Sequence, residues 1–497
     1  MASNTVDTSL ERNAIGLTEV LFQSITHMAP AVATALSIGA ATSFAAGITP
    51  LAVVLALVAA LFTAYSMGEL ARHLPSAGGM YTYVARGLGS FAGWLMAWAF
   101  LLAEPIVPAA LYASFGLFGA SFITTLTGYT NDLLWLPLAV ICGLIVWLLV
   151  YRGITISTRV GVALGLIEIG IFLLISLLLV VNAGSRNTLS VFIPGDAGIL
   201  PALQGMVFCL LAFVGFEAAA PLAEETRDPK RTIRQAVIWS AVLIGLFYVF
   251  CYYAATVYFG PDNMSGFLTA FNSDPWGGMA NEVLPGIGAL LVTFAILNSS
   301  LANANAGANA STRAIFSLGR ARILPAALAE IHPTYRTPVN AVHLQGILGI
   351  VLAVGLGLLF GWLRRHGNES PGEGGAKRLA VLPFENLGGA DDEYFADGIT
   401  DEVRGKLAAL PGLQVTARSS SNEYKKTTRS PQEIGRELGV DYLLTGTVRW
   451  EKSDGANHVR VSPELIQVST GSTKWQEPFD AALTDVFEVQ GEMAGQV

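Results

Sequence analysis

The sequence has 497 residues, of which 53% are hydrophobic and only 13% are charged. This composition lies outside the usual range of soluble globular proteins and indicates a membrane protein. The formal net charge is −8, but residues 1–366 hold 16 Lys and Arg against 16 Asp and Glu, so the whole acidic excess follows residue 366. The chain therefore divides into a charge-poor part suited to lipid and an acidic part suited to water.

Long apolar segments recur through the first three quarters of the chain. A helix needs about 20 apolar residues to cross the hydrocarbon core of a bilayer. The polar start of the chain lacks the pattern of a cleaved signal peptide, so the first apolar segment is predicted to be retained. We predict nine spans, numbered 1 to 9 in chain order, at residues 17–46, 49–71, 90–123, 133–151, 158–182, 201–223, 236–259, 284–316 and 339–363.

Cationic residues concentrate in every second connection between these spans, at 72–86, 152–159, 227–234 and 313–336, whereas the other connections hold only Arg186. The positive-inside rule then predicts a multi-pass protein of the cytoplasmic (inner) membrane with a cytoplasmic N-terminus. An odd number of spans places the segment after span 9 on the extracytoplasmic side. Arg364 and Arg365, which directly follow span 9, argue mildly against that exit.

A polar segment rich in Gly follows span 9 and marks the clearest boundary in the chain. We predict a membrane domain at 1–365, a flexible linker at 366–376 and a small soluble α/β domain at 377–497. Within the soluble domain, hydrophobic periodicity predicts helices at 394–410 and 431–438 and strands at 379–384, 413–417, 442–451, 459–468 and 473–479.

Spans 1 and 6 are poor helices at their centres. Span 1 contains Pro30, which lacks an N–H and whose ring clashes with the carbonyl of Thr26, and span 6 contains Gly215 beside the intramembrane acid Glu217. Unwound segments in a membrane are tolerated where they line a cavity, and half-helix N-termini can hold a carboxylate. For either span alone, a simple kink with a packing face of small residues explains the pattern about as well. The predicted substrate site comprises Thr26, His27, Met28, Ala29, Pro30, Ala31, Phe213, Val214, Gly215, Phe216 and Glu217.

Polar residues inside other spans are candidates for coupling transport to an ion. An ionisable group in a membrane is costly, so function is the default hypothesis for Glu168 in span 5. Glu168 could carry a proton, or it could be a neutral acid at a helix contact. Glu104 in span 3 could face the transport path or satisfy a kinked helix. Asn298, Asn305 and Asn309 share one face of span 8, where they could coordinate an ion or hold helices together.

Four motifs in order resemble the amino acid, polyamine and organocation (APC) superfamily of permeases. They are the GELARHLPSAGGMYTY sequence at 68–83, the segment 213–233 beginning FVGFE, the Asn-rich segment 298–313, and SLGRARILP at 317–325. The resemblance covers residues 14–363. It implies an all-α, LeuT-like bundle of two inverted five-span repeats that works by alternating access. In some relatives a lysine near the position of Glu168 replaces a coupling sodium.

The family normally continues with at least a tenth span, so the resemblance implies an incomplete second repeat here. The acidic tail resembles a different family, the TolB amino-terminal-like (FlgO-like) domain, through RLAVLPFENL at 378–387, YFADGITD at 394–401, EIGRELG at 433–439 and GTV at 446–448. No spacing of nucleophile, base and orienting residue is visible in the tail, which argues against a catalytic role. A protein partner for this domain is a further expectation.

These observations predict secondary active transport of an amino acid or related amine, as a proton- or sodium-coupled symporter or as an antiporter. No phosphate-binding loop, metal-ligand pattern or cofactor motif is visible, so we predict neither an enzyme nor a nucleic-acid-binding protein, and the lipid bilayer is its expected environment. The alternative is a transport-inactive membrane anchor or sensor that presents a soluble interaction domain. The missing tenth span favours this alternative, and the intact segments of spans 1 and 6 favour transport.

Overall fold

The computed structural model describes residues 9–195, 198–366, 377–389, 393–408, 413–427, 429–453 and 456–482. Contacts divide the chain into two compact units, Met1–Phe360 and Gly361–Val497.

The first unit is helical, and each of the nine predicted spans corresponds to helix. Seven helical segments among the described residues are long and apolar enough to cross a membrane; the first, Leu17–His73, covers spans 1 and 2, and the shorter apolar helix Trp135–Tyr151 is span 4. The remaining bounds are Leu17–His27 with Pro30–Val32 for span 1, Thr49–His73, Ser90–Thr127, Ile154–Ala183, Leu200–Leu211 with Phe216–Leu222 for span 6, Pro229–Phe259, Gly288–Arg320 and Val339–His366.

Two nine-residue α-helices outside the spans were not predicted, because neither is long enough to show the pattern of a membrane helix. Met80–Leu88 lies between spans 2 and 3, and Pro275–Val283 lies between spans 7 and 8. The second of these helices buries Trp276, whose ring packs against Phe172 of span 5 and Tyr252 of span 7. This connection therefore packs into the bundle.

Small residues bring the spans close together. At the contact between spans 2 and 7, Gly68 lies against Ile238 and Gly245 lies against Leu57. Close backbone approach through small residues is the usual way in which membrane helices pack, because lipid supplies no hydrophobic drive between them.

The chain before span 1 is bound to the loop after span 6. The N–H of Ala14 donates to the carbonyl of Glu225 at 2.8 Å, and the N–H of Arg227 donates to the carbonyl of Ile15 at 2.9 Å. Ile15 and Thr226 thereby form a short parallel bridge. This contact ties the start of span 1 to the loop that follows span 6.

The second unit is a small α/β domain, as the sequence predicted. Its described strands are β1 Lys377–Val381, β2 Glu385–Asn386, β3 Leu413–Val415, β4 Tyr442–Ser453, β5 Ala456–Gln467, β6 Ser472–Gln476 and β7 Phe479–Ala482, and the helices are Glu393–Ala408, Arg418–Asn422 and Pro431–Leu438. The strands form a sheet in the order β3-β1-β4-β5-β6, in which β2 pairs with β4 and β7 with β5. β1 is parallel to β3 and β4, while β5 is antiparallel to β4, β6 and β7.

Two hydrophobic clusters form the core of this unit. One includes Leu379, Val381 and Ile399, and the other includes Ala380 and Ile434, so alternate residues of β1 contribute to different clusters. This alternation is expected of a strand whose two faces are both covered. The predicted strand at 473–479 is instead two strands, β6 and β7, separated by the proline at position 478, which has no N–H for a ladder.

Candidate functional site

The break in span 1 lies where the sequence places Pro30. The first helix ends at His27, and Ala29 adopts a left-handed backbone conformation with φ of 48°. Two N–H groups of the half-helix that follows are bound by side chains from other spans. Ala31 donates to Oε2 of Glu168 at 3.1 Å, and Val32 donates to the hydroxyl of Ser299 at 3.4 Å. Spans 5 and 8 therefore hold the break open.

The break in span 6 depends on Gly215. Its φ of 128° is in the region that favours glycine, and its N–H donates to Oε2 of Glu217 at 2.9 Å. A Cβ at this position would lie 2.6 Å from the carbonyl carbon of His27 and 2.7 Å from the nitrogen of Met28. The backbones of the two broken spans thus meet where one of them has no side chain.

A single phenol connects the two breaks. The buried hydroxyl of Tyr248, in span 7, lies 2.9 Å from the carbonyl oxygen of Met28 and 3.1 Å from that of Ala212. The hydroxyl of Ser24 also donates to the carbonyl of Phe216 at 2.7 Å. Buried carbonyls in a membrane must be satisfied within the protein; Ser24 serves the carbonyl of Phe216, and the single proton of Tyr248 is shared between those of Met28 and Ala212.

A cavity of about 630 Å³ lies beside the two breaks. Spans 1, 2, 3, 6 and 8 and the short helix Met80–Leu88 contribute its walls. Eight of the residues predicted for the substrate path or its coupling line it, namely His27, Met28, Ala29, Glu104, Phe213, Val214, Phe216 and Glu217.

The cavity is mostly apolar but has a few buried polar groups. Nε2 of His27 lies 3.7 Å from Oε2 of Glu104, and the imidazole also interacts electrostatically with Glu217. Asn303 of span 8 completes this polar group. Among the described lining residues there are two carboxylates and one imidazole but no Lys or Arg, so the wall suits a group that carries positive charge.

Comparison with known proteins decides the family. The sequence profile described as amino acid permease matches residues 15–375, which is more than half of the chain. The chain belongs to the amino acid permease family. It is thus a multi-pass membrane protein, and membership places it among transport proteins rather than among enzymes.

Individual relatives agree with this assignment over the membrane part. The low-affinity putrescine importer PlaP of Escherichia coli is 28% identical over 356 residues, which is 68% of this chain and 74% of the importer. The branched-chain amino acid permease BcaP of Bacillus subtilis is 25% identical over 60% of this chain and 65% of its own length. A putative adenylate cyclase 3 of Rhizobium meliloti is 43% identical over 116 residues, but this match covers only 23% of the permease chain and 19% of the cyclase.

The other predicted site residues of the permease lie near the breaks but outside the cavity wall. Thr26 donates its hydroxyl to the carbonyl of Phe22, one turn earlier in its own helix. The carbonyl of Pro30 accepts from the hydroxyl of Thr34, and Ala31 contacts Glu168 as described. Substrate contact stays a prediction for all eleven predicted site residues, those that line the cavity included.

The coupling candidates of the permease fall into two environments. Glu104 lines the cavity, whereas Glu168 is fully buried against the break in span 1. The amide of Asn298 donates to the carbonyl of Leu164 at 2.7 Å, and Asn305 exchanges hydrogen bonds of 2.7 and 3.0 Å with Ser157. Both asparagines thus bind span 5. No group of three His, Cys, Asp or Glu side chains in the described ranges could hold a metal ion.

Sequence reasoning missed an ion pair near the end of span 6. Arg313 of span 8 forms two hydrogen bonds of 2.9 and 3.0 Å with Glu225, and both side chains are fully buried. The neighbouring Glu224 pairs with Arg320 at the surface. Burial alone would raise the pKa of Glu224, but hydrogen bonds from Arg320 and from a backbone N–H lower it below its ordinary value. The sequence around these two glutamates does not show which one is buried in an ion pair, because Glu225 and its partner Arg313 lie 88 residues apart.

Asn303 was also missed, since it does not share the face of Asn298 and Asn305 that the spacing emphasised. A usable signal exists in the sequence: Gly307 lies four residues after Asn303, on the same side of the helix. A Cβ at Gly307 would lie 2.9 Å from the imidazole of His27 and 3.2 Å from Pro108 of span 3. The small residue therefore brings spans 1, 3 and 8 together beside Asn303.

Proposed function

We propose that this permease carries an organic amine, either an amino acid or a polyamine, across the cytoplasmic membrane by alternating access. The observation that supports this most strongly is the meeting of two broken helices beside a cavity whose charged side chains are two carboxylates and one imidazole. Broken spans place half-helix ends beside a cavity where they can bind the polar ends of a solute, and carboxylates attract its ammonium group. A relative that imports putrescine and one named for branched-chain amino acids support the same substrate class.

The proposed mechanism uses the two breaks as hinges around one binding place. The half-helices of spans 1 and 6 can tilt at Ala29 and Gly215 while spans 3 and 8 hold the cavity wall. Tyr248 contacts a carbonyl on each break, so it makes the two hinges respond together. Near the end of span 6, the buried contact between Arg313 and Glu225 must separate if a path opens there.

We assign proton coupling to Glu168. One of its oxygens accepts the Ala31 N–H, which belongs to the half-helix that moves, and the carboxyl group is fully buried. Protonation of this carboxyl group would change its hydrogen bond to the break, and substrate binding at the break would in turn change its affinity for a proton. This reciprocity is what coupled transport requires.

The first test is uptake into proteoliposomes that contain the full chain. Labelled putrescine, lysine and leucine are offered separately, with and without a pH gradient, and liposomes without protein give the background. We expect saturable uptake of at least one amine, increased by the gradient. Absence of uptake and of binding for every member would refute the function and shift support to the transport-inactive anchor that presents the C-terminal unit to a protein partner.

The second test separates coupling from translocation. In Glu168→Gln the amide oxygen can still accept the Ala31 N–H, but the side chain no longer exchanges a proton near neutral pH. We expect exchange of internal for external solute to survive and pH-driven accumulation to fail. If the variant still concentrates solute under an imposed gradient, coupling lies elsewhere, and Glu104 or a sodium site at span 8 becomes the next candidate.

The third test concerns orientation, since loop charge and an odd span number put the C-terminal unit on the extracytoplasmic side. Ser419 is exposed, and the three native cysteines are buried, so a Ser419→Cys variant gives a labelling site with little background. An impermeant maleimide should label it in intact cells. Labelling that appears only after lysis would reverse the orientation.

A further inference from the structure

Three polar atoms in one part of the cavity wall have no hydrogen-bond partner among the described residues. They are Nδ1 of His27, Oε2 of Glu104 and Oδ1 of Asn303. The side chains are more than nine-tenths buried, with exposed fractions of 5%, 6% and 7%. Unpartnered buried groups are rare in proteins and costly, so three around one place require an explanation.

The three groups are neighbours although they come from different spans. The imidazole of His27 lies 3.7 Å from the carboxylate of Glu104 and next to the backbone of Asn303. Gly307, one turn beyond Asn303, lets the imidazole approach span 8. All three residues line the cavity beside the breaks.

The chemistry of these atoms selects the group that can satisfy them. A carboxylate oxygen and an amide oxygen only accept hydrogen bonds. The imidazole of His27 lies beside the backbone of Asn303, to which a ring N–H can donate, so the acceptors of this group are the carboxylate and amide oxygens. Two acceptors from different spans call for a ligand with several donors on one atom. A primary ammonium has three N–H donors, whereas a quaternary ammonium has none and a carboxylate has none.

We propose that Asn303, Glu104 and His27 form a subsite for a primary ammonium group of the transported solute, and that Asn303 sets a preference for primary over N-methylated amines. The inference rests on the proposed function, because it specifies which part of an amine the cavity holds. Glu104 supplies the charge, which a methylated ammonium also satisfies. Asn303 supplies a directional acceptor, which only an N–H can use.

The test compares binding of putrescine with binding of its bis(trimethylammonium) derivative, in which neither nitrogen carries an N–H, by competition against labelled putrescine on the full chain in detergent. The same comparison is made with lysine and Nε-trimethyllysine. We expect the wild-type protein to prefer the primary amine by about tenfold or more, as the loss of one hydrogen bond to a buried acceptor implies. In Asn303→Leu, which has similar volume but no acceptor, the ratio should fall towards one, whereas Asn303→Asp should keep it.

Asn298→Leu is the matched control, because it also removes an amide from span 8 but at a contact with span 5 outside the cavity. It should keep the wild-type ratio even if the protein becomes less stable. A ratio near one in the wild-type protein, or an unchanged ratio in Asn303→Leu, would overturn the subsite while leaving amine transport intact. Failure of the wild-type protein to bind or transport any amine would overturn the proposed function and the subsite together.

Discussion

Removal of the Tyr248 hydroxyl tests whether the two breaks act as one binding element. The Tyr248→Phe variant keeps the ring but leaves the carbonyls of Met28 and Ala212, 2.9 and 3.1 Å from the lost oxygen, without this donor. Leaving a buried polar group unpaired costs about 1–3 kcal/mol. If that cost falls on the arrangement that binds solute, affinity should drop by roughly 5- to 150-fold.

Tyr252→Phe gives a matched control on the same helix. Its hydroxyl is equally buried and donates to the carbonyl of Thr34 at 2.7 Å, beyond the break in span 1. Both variants should lower the midpoint of thermal unfolding in detergent, but only Tyr248→Phe should weaken binding of the labelled amine. Equal affinities in the two variants would refute the idea that the phenol positions both breaks.

Three further outcomes are expected. Gly215→Ala should abolish binding while the protein still inserts, because its Cβ would lie 2.6 Å from the backbone of span 1 at a φ of 128°. Arg313→Met should lower stability by about 3–5 kcal/mol by leaving buried Glu225 unpaired, and adding Glu225→Gln should recover part of the loss. In the second unit, burial alone would raise the pKa of Asp441, but hydrogen bonds from Arg378 lower it. Its contribution to stability is therefore present above the unfolded pKa of about 3.9 and lost as the pH falls through the folded value, so Asp441→Asn should flatten the acid dependence of urea unfolding.

Each of these outcomes has a control or a contradicting result. Gly170→Ala should be neutral, because a Cβ there meets no neighbour within 4 Å. Arg320→Met should cost only about 0–1 kcal/mol, since its partner Glu224 is partly exposed. Equal losses in Arg313→Met and Arg320→Met would mean that burial does not decide the strength of these pairs. An acid dependence that is the same with Asn at 441 would remove that carboxyl group from the linkage.

The spans were predictable because a segment that crosses a membrane must form its backbone hydrogen bonds within itself, as a helix does. A sufficiently long run of apolar residues is therefore enough to predict one. The breaks were predictable for a related reason: proline at position 30 and glycine at 215 change the backbone itself. The side chains that bind the backbone at the breaks were not predictable, because Tyr248, Ser299 and Glu168 belong to spans that are distant in the sequence. Only the fold shows which hydroxyl or carboxyl group meets a released N–H or carbonyl.

The asparagines of span 8 show a second limit of sequence reasoning. Helical spacing correctly grouped Asn298 with Asn305, but spacing does not say which neighbour that face meets, and it meets span 5. Asn303 lines the cavity, but it does not fit this helical spacing and was therefore not predicted as a site residue. In the second unit, long strands and helices with clear periodicity were predictable, whereas β2, with two residues, has too few positions to show any period.

The bridge between Ile15 and Thr226 limits how the molecule can change shape. The entry to span 1 and the loop after span 6 share backbone hydrogen bonds, as two strands of a sheet do. Neither can swing outward alone without exposing unpaired amides. The start of span 1 and the loop after span 6 should consequently move together as one rigid piece, relative to spans 3 and 8, which hold the cavity wall.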